Sequence, residues 1–106
     1  MEPLHILIID DEPVVCDGCR LVLTDQGHTV DSYTAGAEGL EAFYAKPYDL
    51  VLLDLKMPDA EGMDILAACR AHNPNAYVIV MTGYSTVKTA VQAMKAGAFD
   101  FLSKPF

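Results

Sequence analysis

Short apolar runs alternate with longer amphipathic runs along the whole chain, and this alternation constrains the fold more than any other feature. The runs at residues 4–9 and 50–53 are mostly Leu, Ile and Val, which is typical of strands buried on both faces of a sheet. Because neighbouring parallel strands are joined through a crossover helix, the alternation predicts βαβ units around one parallel sheet. We expect strands near residues 4–9, 29–33, 49–53, 77–81 and 98–102, and helices near residues 13–25, 36–45, 63–71 and 86–96.

The length and charge of the chain restrict what it can do. Its 106 residues fit one domain, which we place at residues 1–106. With 7 basic against 15 acidic residues the net charge is −8, and such a surface repels nucleic-acid phosphates. No apolar run is long enough to span a membrane, and the N-terminus lacks the features of a signal peptide. We therefore expect a cytoplasmic domain that contacts neither nucleic acid nor a membrane directly.

Acidic residues follow two of the predicted strands at the point where each strand ends. Asp10 and Asp11 follow the first strand, and Asp54 follows the third. If these strands are neighbours in a parallel sheet, the three carboxylates meet at its carboxyl edge, where open α/β sheets bind their ligands. Two like charges about 4 Å apart repel by roughly 4 kcal/mol near a protein surface, so the cluster calls for a cation, and oxygen ligands suit Mg²⁺. Taken singly, each acid could equally be a turn former or a helix cap.

Several short motifs stand in register at the ends of the predicted strands. They are Asp10-Asp11, Asp54 with its loop to Gly62, the run from Met81 to Ser85, and the run from Gly97 to Phe106. Together they resemble the receiver domain of two-component response regulators over essentially the whole chain, and most strongly receivers of the NtrC-like class. The resemblance implies a flavodoxin-like (CheY-like) α/β fold, with a doubly wound five-stranded parallel sheet of strand order 2-1-3-4-5.

The resemblance implies that the acidic edge of the sheet performs phosphoryl transfer. Asp54 would be the phosphorylation site and the catalytic nucleophile, which takes a phosphoryl group from a histidine of a sensor kinase. Mg²⁺ would be bound directly by Asp11, Asp54 and the backbone carbonyl of Lys56. Asp10 would act on the metal mainly through water.

Three further residues have implied roles in catalysis and switching. Lys104 would neutralise phosphoryl oxygens as a compact ammonium, and Thr82 would donate its hydroxyl to another oxygen. Thr82 and Phe101 would then move together as the switch, although core packing is a rival role for Phe101. The face formed by the fourth helix and the fifth strand would report the state to a partner.

The resemblance also implies the partners of the domain. They are a sensor histidine kinase and an output domain in the parent protein, such as an AAA+ activator with a DNA-binding domain. We expect no enzyme activity beyond phosphoryl transfer to the domain itself and autodephosphorylation.

The chain stops at Phe106, whereas receiver domains normally continue into a final helix that packs beside the first. We expect a C-terminally truncated receiver domain, either an engineered piece or a natural fragment. One sheet face would then be covered by a single helix, with Val15, Cys19, Val22 and Leu23 partly bare, and we expect a homodimer through that face. The resemblance further implies a cis bond before Pro105.

Two other classes of function stay open. A Mg²⁺-dependent phosphohydrolase of the haloacid-dehalogenase type also uses an aspartate nucleophile, but its Asp-x-Asp motif differs from Asp54-Leu55-Lys56 and no cap segment is present. The chain could also be an oligomerisation module whose acids are never phosphorylated.

The cysteines suggest a metal site of another kind. Cys16 and Cys19 form a Cys-x-x-Cys pair, and Cys69 with His72 could supply a second pair. The implied topology places the first and third helices on opposite sheet faces, which leaves zinc as the lesser alternative. From helical spacing we expect Cys19 in the core and Cys16 at its flank.

Overall fold

The computed structural model describes residues 2–83 and 86–104, which form a five-stranded parallel sheet with helices on both faces. Within these residues no helix follows the last strand. The predicted cis bond at Pro105 and the motif residues Tyr84 and Ser85 lie outside the described residues. The elements are β1 His5–Ile9, α1 Pro13–Asp25, β2 Thr29–Tyr33, α2 Gly36–Ala45, β3 Leu50–Asp54, α3 Gly62–His72, β4 Tyr77–Thr82, α4 Val87–Lys95 and β5 Asp100–Ser103.

The strand order is β2-β1-β3-β4-β5 with every pair parallel, which confirms the predicted flavodoxin-like topology. The largest shift from the expected boundaries is at β5, which begins at Asp100 rather than at residue 98. Gly97 has a φ of 103°, and the Ala98 N–H donates to the carbonyl of Ala93, 3.0 Å away, so residue 98 is still closing α4. The first link to β4 is the Phe99 N–H donating to the carbonyl of Val78 at 2.7 Å.

Alternate residues of β1 support two separate apolar cores. Ile6 and Ile8 pack with Cys16 of α1 on one face of the sheet. Leu7 packs on the other face, in the core that contains Phe43 of α2 and residues of α3. Among the described helices, α1 alone therefore covers the first face, as the topology predicts.

The burial expected for the two cysteines of α1 was wrong, because their positions are reversed. Cys16 is buried and Cys19 is half-buried, because α1 turns Cys16 toward the loop after β1, where its thiol donates to the Asp10 carbonyl at 3.3 Å. Burial raises the pKa of the Cys16 thiol to about 11, which disfavours the thiolate that a zinc site needs. Cys69 is buried in the core on the opposite face, so it cannot share a metal with Cys16.

The outer surface of α1 is apolar and open to solvent. Val14 is 83% exposed and Val22 is 61% exposed. A cleft of about 510 Å³ runs between this helix and Leu52 of the sheet, and Cys19 and Leu23 are among its other lining residues. The expectation of bare apolar residues on this face is confirmed. No helix in the described ranges combines the length and the apolar character needed to cross a membrane.

Candidate functional site

The parallel register brings the predicted site residues to one edge of the sheet. Ile9 pairs with Leu53, so the residues that follow β1 lie beside Asp54 at the end of β3. Asp10 is fully buried and Asp54 is 3% exposed, which is unusual for carboxylates. Thr82 is buried at the end of the adjacent strand β4.

Lys104, directly after β5, places its ammonium among these carboxylates. Its Nζ atom lies 2.8 Å from Asp10 Oδ2, 2.7 Å from Glu12 Oε1 and 3.1 Å from Asp54 Oδ2. The backbone N–H of Lys104 donates to the Thr82 carbonyl at 3.0 Å, which fixes the lysine to the end of β4. The structure thus brings together the predicted residues Asp10, Asp54 and Lys104 in one contact group.

The buried carboxylate of Asp10 has one partner for each of its oxygens. The Glu12 N–H donates to Asp10 Oδ1 at 2.9 Å, and the Lys104 ammonium lies 2.8 Å from Asp10 Oδ2. Burial raises the pKa of Asp10, the contacts with Lys104 and the Glu12 N–H lower it, and the charge of Asp54 raises it further. For Lys104, burial opposes the charged form, yet contacts with its three carboxylate partners outweigh burial and raise its pKa.

The acids at this edge could hold a divalent cation. One carboxylate oxygen from each of four residues lies within 4.8 Å of the others. These donors are all oxygens, which fits a hard cation such as Mg²⁺ or Ca²⁺. Three of the carboxylates share the Lys104 ammonium, so the cluster keeps negative charge that a cation can balance. The four residues are Asp10, Asp11, Glu12 and Asp54.

Sequence reasoning missed Glu12, although the signal was present. It is the third acid in the run Asp10-Asp11-Glu12, and its side chain is 58% exposed at the mouth of the site. Lys56 contributes to the site through its backbone, whose N–H donates to Asp54 Oδ1 at 3.1 Å. The Lys56 carbonyl, predicted as a metal ligand, belongs to the same loop.

The loop from residue 55 to 61 is held in place from both sides. Gly62 donates its N–H to the Leu55 carbonyl at 3.2 Å, and a Cβ atom at Gly62 would lie 2.3 Å from Leu55 Cα, so only glycine fits. Asp59 accepts the Gly36 and Ala37 N–H groups at 2.9 and 3.1 Å, and these hydrogen bonds lower its pKa. Asp59 thereby caps α2, whose first turn has no side-chain cap of its own, and no local sequence pattern predicts this contact.

A cleft of about 340 Å³ gives access to the carboxylates, and its volume suits a small anion rather than a large cofactor. Gly83 is exposed, and a Cβ atom there would meet nothing within 4 Å, so the approach is open. Phe101, the predicted switch residue, is half-buried on β5 against the core shared with α2 and α3. The lining residues of the cleft are Asp11, Glu12, Asp54, Lys56, Gly83 and Lys104.

The strand order and the acidic edge define an open α/β domain whose ligand site lies at the switch point between β1 and β3. The chain belongs to the response regulator receiver domain family, whose sequence model matches residues 6–106. It is therefore a signalling domain of the two-component type.

Relatives and solved structures support the same assignment. The transcriptional regulatory protein QseB of Escherichia coli O157:H7 is 38% identical over 103 residues, which cover 97% of this chain and 47% of QseB. A response regulator from Burkholderia pseudomallei, crystallised with a phosphorylated aspartic acid, a calcium ion and citrate, superposes with a TM-score of 0.92 at 31% identity, covering 97% of this chain and 61% of that one. NtrX from Brucella abortus, in complex with ADP, gives a TM-score of 0.91 at 30% identity, covering 99% of this chain and 24% of NtrX.

The similarity to NtrX supports the expected NtrC-like class. The chain spans about half the length of QseB and about a quarter of NtrX.

Proposed function

We propose that Asp54 is the phosphoacceptor of this receiver domain and that it takes its phosphoryl group from a histidine of a sensor kinase. The observation that carries the proposal is the position of Asp54 Oδ2, 3.1 Å from the Lys104 ammonium at the edge of an open cleft. A phosphorylated aspartic acid in the similar Burkholderia pseudomallei protein supports it.

The residues around Asp54 divide the work of phosphoryl transfer. The Lys56 N–H fixes one carboxylate oxygen of Asp54, so the other can attack phosphorus while the phosphorus–nitrogen bond of the donor histidine breaks. Lys104 neutralises the negative charge that the phosphoryl oxygens carry, and Thr82 donates its hydroxyl to one of them. No side chain at Gly83 obstructs the donor.

Asp11, Asp54 and the Lys56 carbonyl would hold Mg²⁺ at this site, with Asp10 acting through water. When bound, Mg²⁺ would neutralise part of the negative charge of the phosphoryl oxygens. The Burkholderia pseudomallei structure contains a calcium ion together with its phosphorylated aspartic acid, which supports a divalent cation as the ligand.

Phosphorylation switches the surface formed by α4 and β5, through Thr82 and Phe101. Added charge on Asp54 draws the Thr82 hydroxyl toward it, and Phe101 follows into the space that this leaves. Val87 is 83% exposed on α4 and Leu102 is exposed on β5, so the surface has apolar groups to offer a partner. The partner is an output domain of a longer cytoplasmic regulator, of which residues 1–106 form the receiver part. An AAA+ activator with a DNA-binding domain is the kind expected of the NtrC-like class.

The test is incubation of the protein with acetyl phosphate and Mg²⁺, followed by intact mass. We expect one added phosphoryl group on the wild type and on Asp49→Asn, a matched control at the other end of β3, and none on Asp54→Asn. Equal labelling of wild type and Asp54→Asn would contradict the assignment. Steady turnover of a phosphate ester, without a stable adduct, would indicate a phosphohydrolase instead.

The bare surface of α1 supports a second proposal, self-association of this chain as a homodimer. Val14, Leu21 and Val22 are exposed, and the cleft beside them is lined by apolar groups. Light scattering at high concentration should give a dimer for the wild type and a monomer for the double variant Val14→Gln, Val22→Gln. A wild type that stays monomeric and unfolds cooperatively would rule the dimer out.

A further inference from the structure

The Lys104 ammonium is shared by more carboxylates than phosphoryl transfer requires. Asp10 and Asp54 hold it from the floor of the site, and Lys104 retains only 10% exposure of its side chain. Its shortest contact is nevertheless with Glu12, 2.7 Å away across the mouth of the cleft. This contact joins the loop after β1 to the residue after β5, 92 positions apart in the chain.

We propose that Glu12 is a positioning residue that competes with the incoming phosphoryl group for Lys104. In the resting domain its carboxylate holds the ammonium, and it also places negative charge at the entrance of the cleft. The phosphoryl group must displace Glu12 before Lys104 can neutralise it. This role of Glu12 rests on the proposed function of the site.

The geometry of Glu12 allows its side chain to leave the Lys104 ammonium easily. Its backbone is fixed, because its N–H donates to Asp10 Oδ1 at 2.9 Å and its carbonyl accepts the Val15 and Cys16 N–H groups at the start of α1. Its side chain is 58% exposed, so its carboxylate can turn into water at small cost. The buried carboxylates of Asp10 and Asp54 have no such exit.

The charge balance gives the direction of the effect. A phosphoryl group brings roughly −1.5 to −2 charges to a cluster of four carboxylates, three of which already contact the Lys104 ammonium. Replacing Glu12 by glutamine removes one of these charges and leaves Lys104 on Asp10 and Asp54. The site should then accept and retain a phosphoryl group more readily, once Mg²⁺ is saturating.

The test compares the wild type with Glu12→Gln and with Glu41→Gln, which removes one exposed charge from α2 away from the cleft. Calorimetry measures the affinity for beryllofluoride, a phosphoryl mimic, at saturating Mg²⁺. Intact mass measures the initial rate of labelling by acetyl phosphate at several salt concentrations.

We expect Glu12→Gln to bind beryllofluoride about two- to fivefold more tightly and to label faster by a similar factor, since exposed ion pairs contribute modestly. The difference should shrink as salt rises, because an exposed pair is screened. Glu41→Gln should match the wild type in both measurements.

The proposed competition is overturned if Glu12→Gln binds beryllofluoride no more tightly than the wild type at saturating Mg²⁺, or does not bind it at all. This holds even if the wild type is labelled normally. Failure of the proposed function has a different signature. The wild type would then not be labelled by acetyl phosphate, whereas tighter beryllofluoride binding by Glu12→Gln would still support the role of Glu12.

Discussion

Two acidic centres lie in the same sheet, and they differ in how many side-chain donors serve each carboxylate. On β2, Asp31 Oδ2 has three partners: the Tyr48 hydroxyl at 2.6 Å, His5 Nε2 at 3.1 Å and Lys46 Nζ at 3.4 Å. At the carboxyl edge the ratio of side-chain donors to carboxylates is reversed, since three carboxylates share the Lys104 ammonium.

The two centres also shift the pKa of their acids in opposite directions. The hydrogen bond from Tyr48, the largest influence, lowers the pKa of Asp31 despite partial burial, and His5 and Lys46 lower it further. Burial raises the pKa of Asp10, and the contact with Lys104 offsets this rise only in part. We infer that the acid with three side-chain donors stabilises the fold, whereas the acids that share one ammonium bind a cation.

The loop after β3 holds the Lys56 N–H beside Asp54, and Gly62 anchors the end of that loop. Gly62→Ala tests whether the loop is held tightly. A Cβ atom 2.3 Å from Leu55 Cα must push the backbone away, so we expect a loss of about 3 kcal/mol of unfolding free energy. Gly18→Ala in α1, where a Cβ would meet nothing within 4 Å, should instead gain about 0.5–1 kcal/mol. Urea denaturation measures both, and equal effects would mean that the loop is not held tightly.

Adding Mg²⁺ should stabilise one centre and not the other. A cation that binds only the folded state, at a concentration a hundredfold above its Kd, adds about 2.7 kcal/mol to the unfolding free energy. We expect that gain in the thermal stability of the wild type and of Asp31→Asn, and most of it to be lost in Asp10→Asn. A gain that survives in Asp10→Asn but not in Asp31→Asn would reverse the roles given to the two centres.

Asp31→Asn should cost about 1–2 kcal/mol near neutral pH, because hydrogen bonds to a charged acceptor weaken when the charge is removed. The pKa of Asp31 is lowered by folding, so its contribution is present above its ordinary value of 3.8 and is lost as the pH falls through the folded value. The deficit of the variant against the wild type should therefore close in acid. Urea midpoints measured from about pH 7 to about pH 3 check this, and a constant deficit would contradict it.

Without metal, Asp10→Asn should raise the unfolding free energy by about 1 kcal/mol, whereas Asp31→Asn lowers it. The reason is that Asp10→Asn removes a buried charge that Lys104 only partly compensates. The pKa of Asp10 is raised by folding, so the wild type gains stability as the pH falls from the raised value toward 3.8. The advantage of the variant should thus be full near neutral pH and absent in acid. Destabilisation by Asp10→Asn at neutral pH with chelator present would show that Asp10 is structural.

Strand ends were the most predictable part of the molecule. Apolar runs show where a buried strand stops, and the parallel order then places Asp10 and Asp54 at one edge without any knowledge of side-chain packing. Glu12 stands in the acidic run after β1, but its partner could not be predicted, and Asp59 had no local signal at all. The contacts of Glu12 with Lys104 and of Asp59 with the start of α2 join loops that are distant in sequence, and no local pattern encodes them.

The same limit explains the error at α1. Helical spacing shows which residues share a face, but the rotation of the helix against the sheet decides which edge of that face is buried. Here α1 is rotated so that Cys16 is buried and contacts the Asp10 carbonyl, and Cys19 lies at the margin of the core.

We expect the acyl phosphate to form on Asp54 and on no other acid of the cluster. The most direct test is to phosphorylate the domain with acetyl phosphate and Mg²⁺, reduce the acyl phosphate with borohydride, and map the resulting homoserine by peptide mass. We predict homoserine at position 54 alone, and none when Mg²⁺ is chelated. Homoserine at position 10 or 11, or the same yield at position 54 without Mg²⁺, would contradict this account of the site.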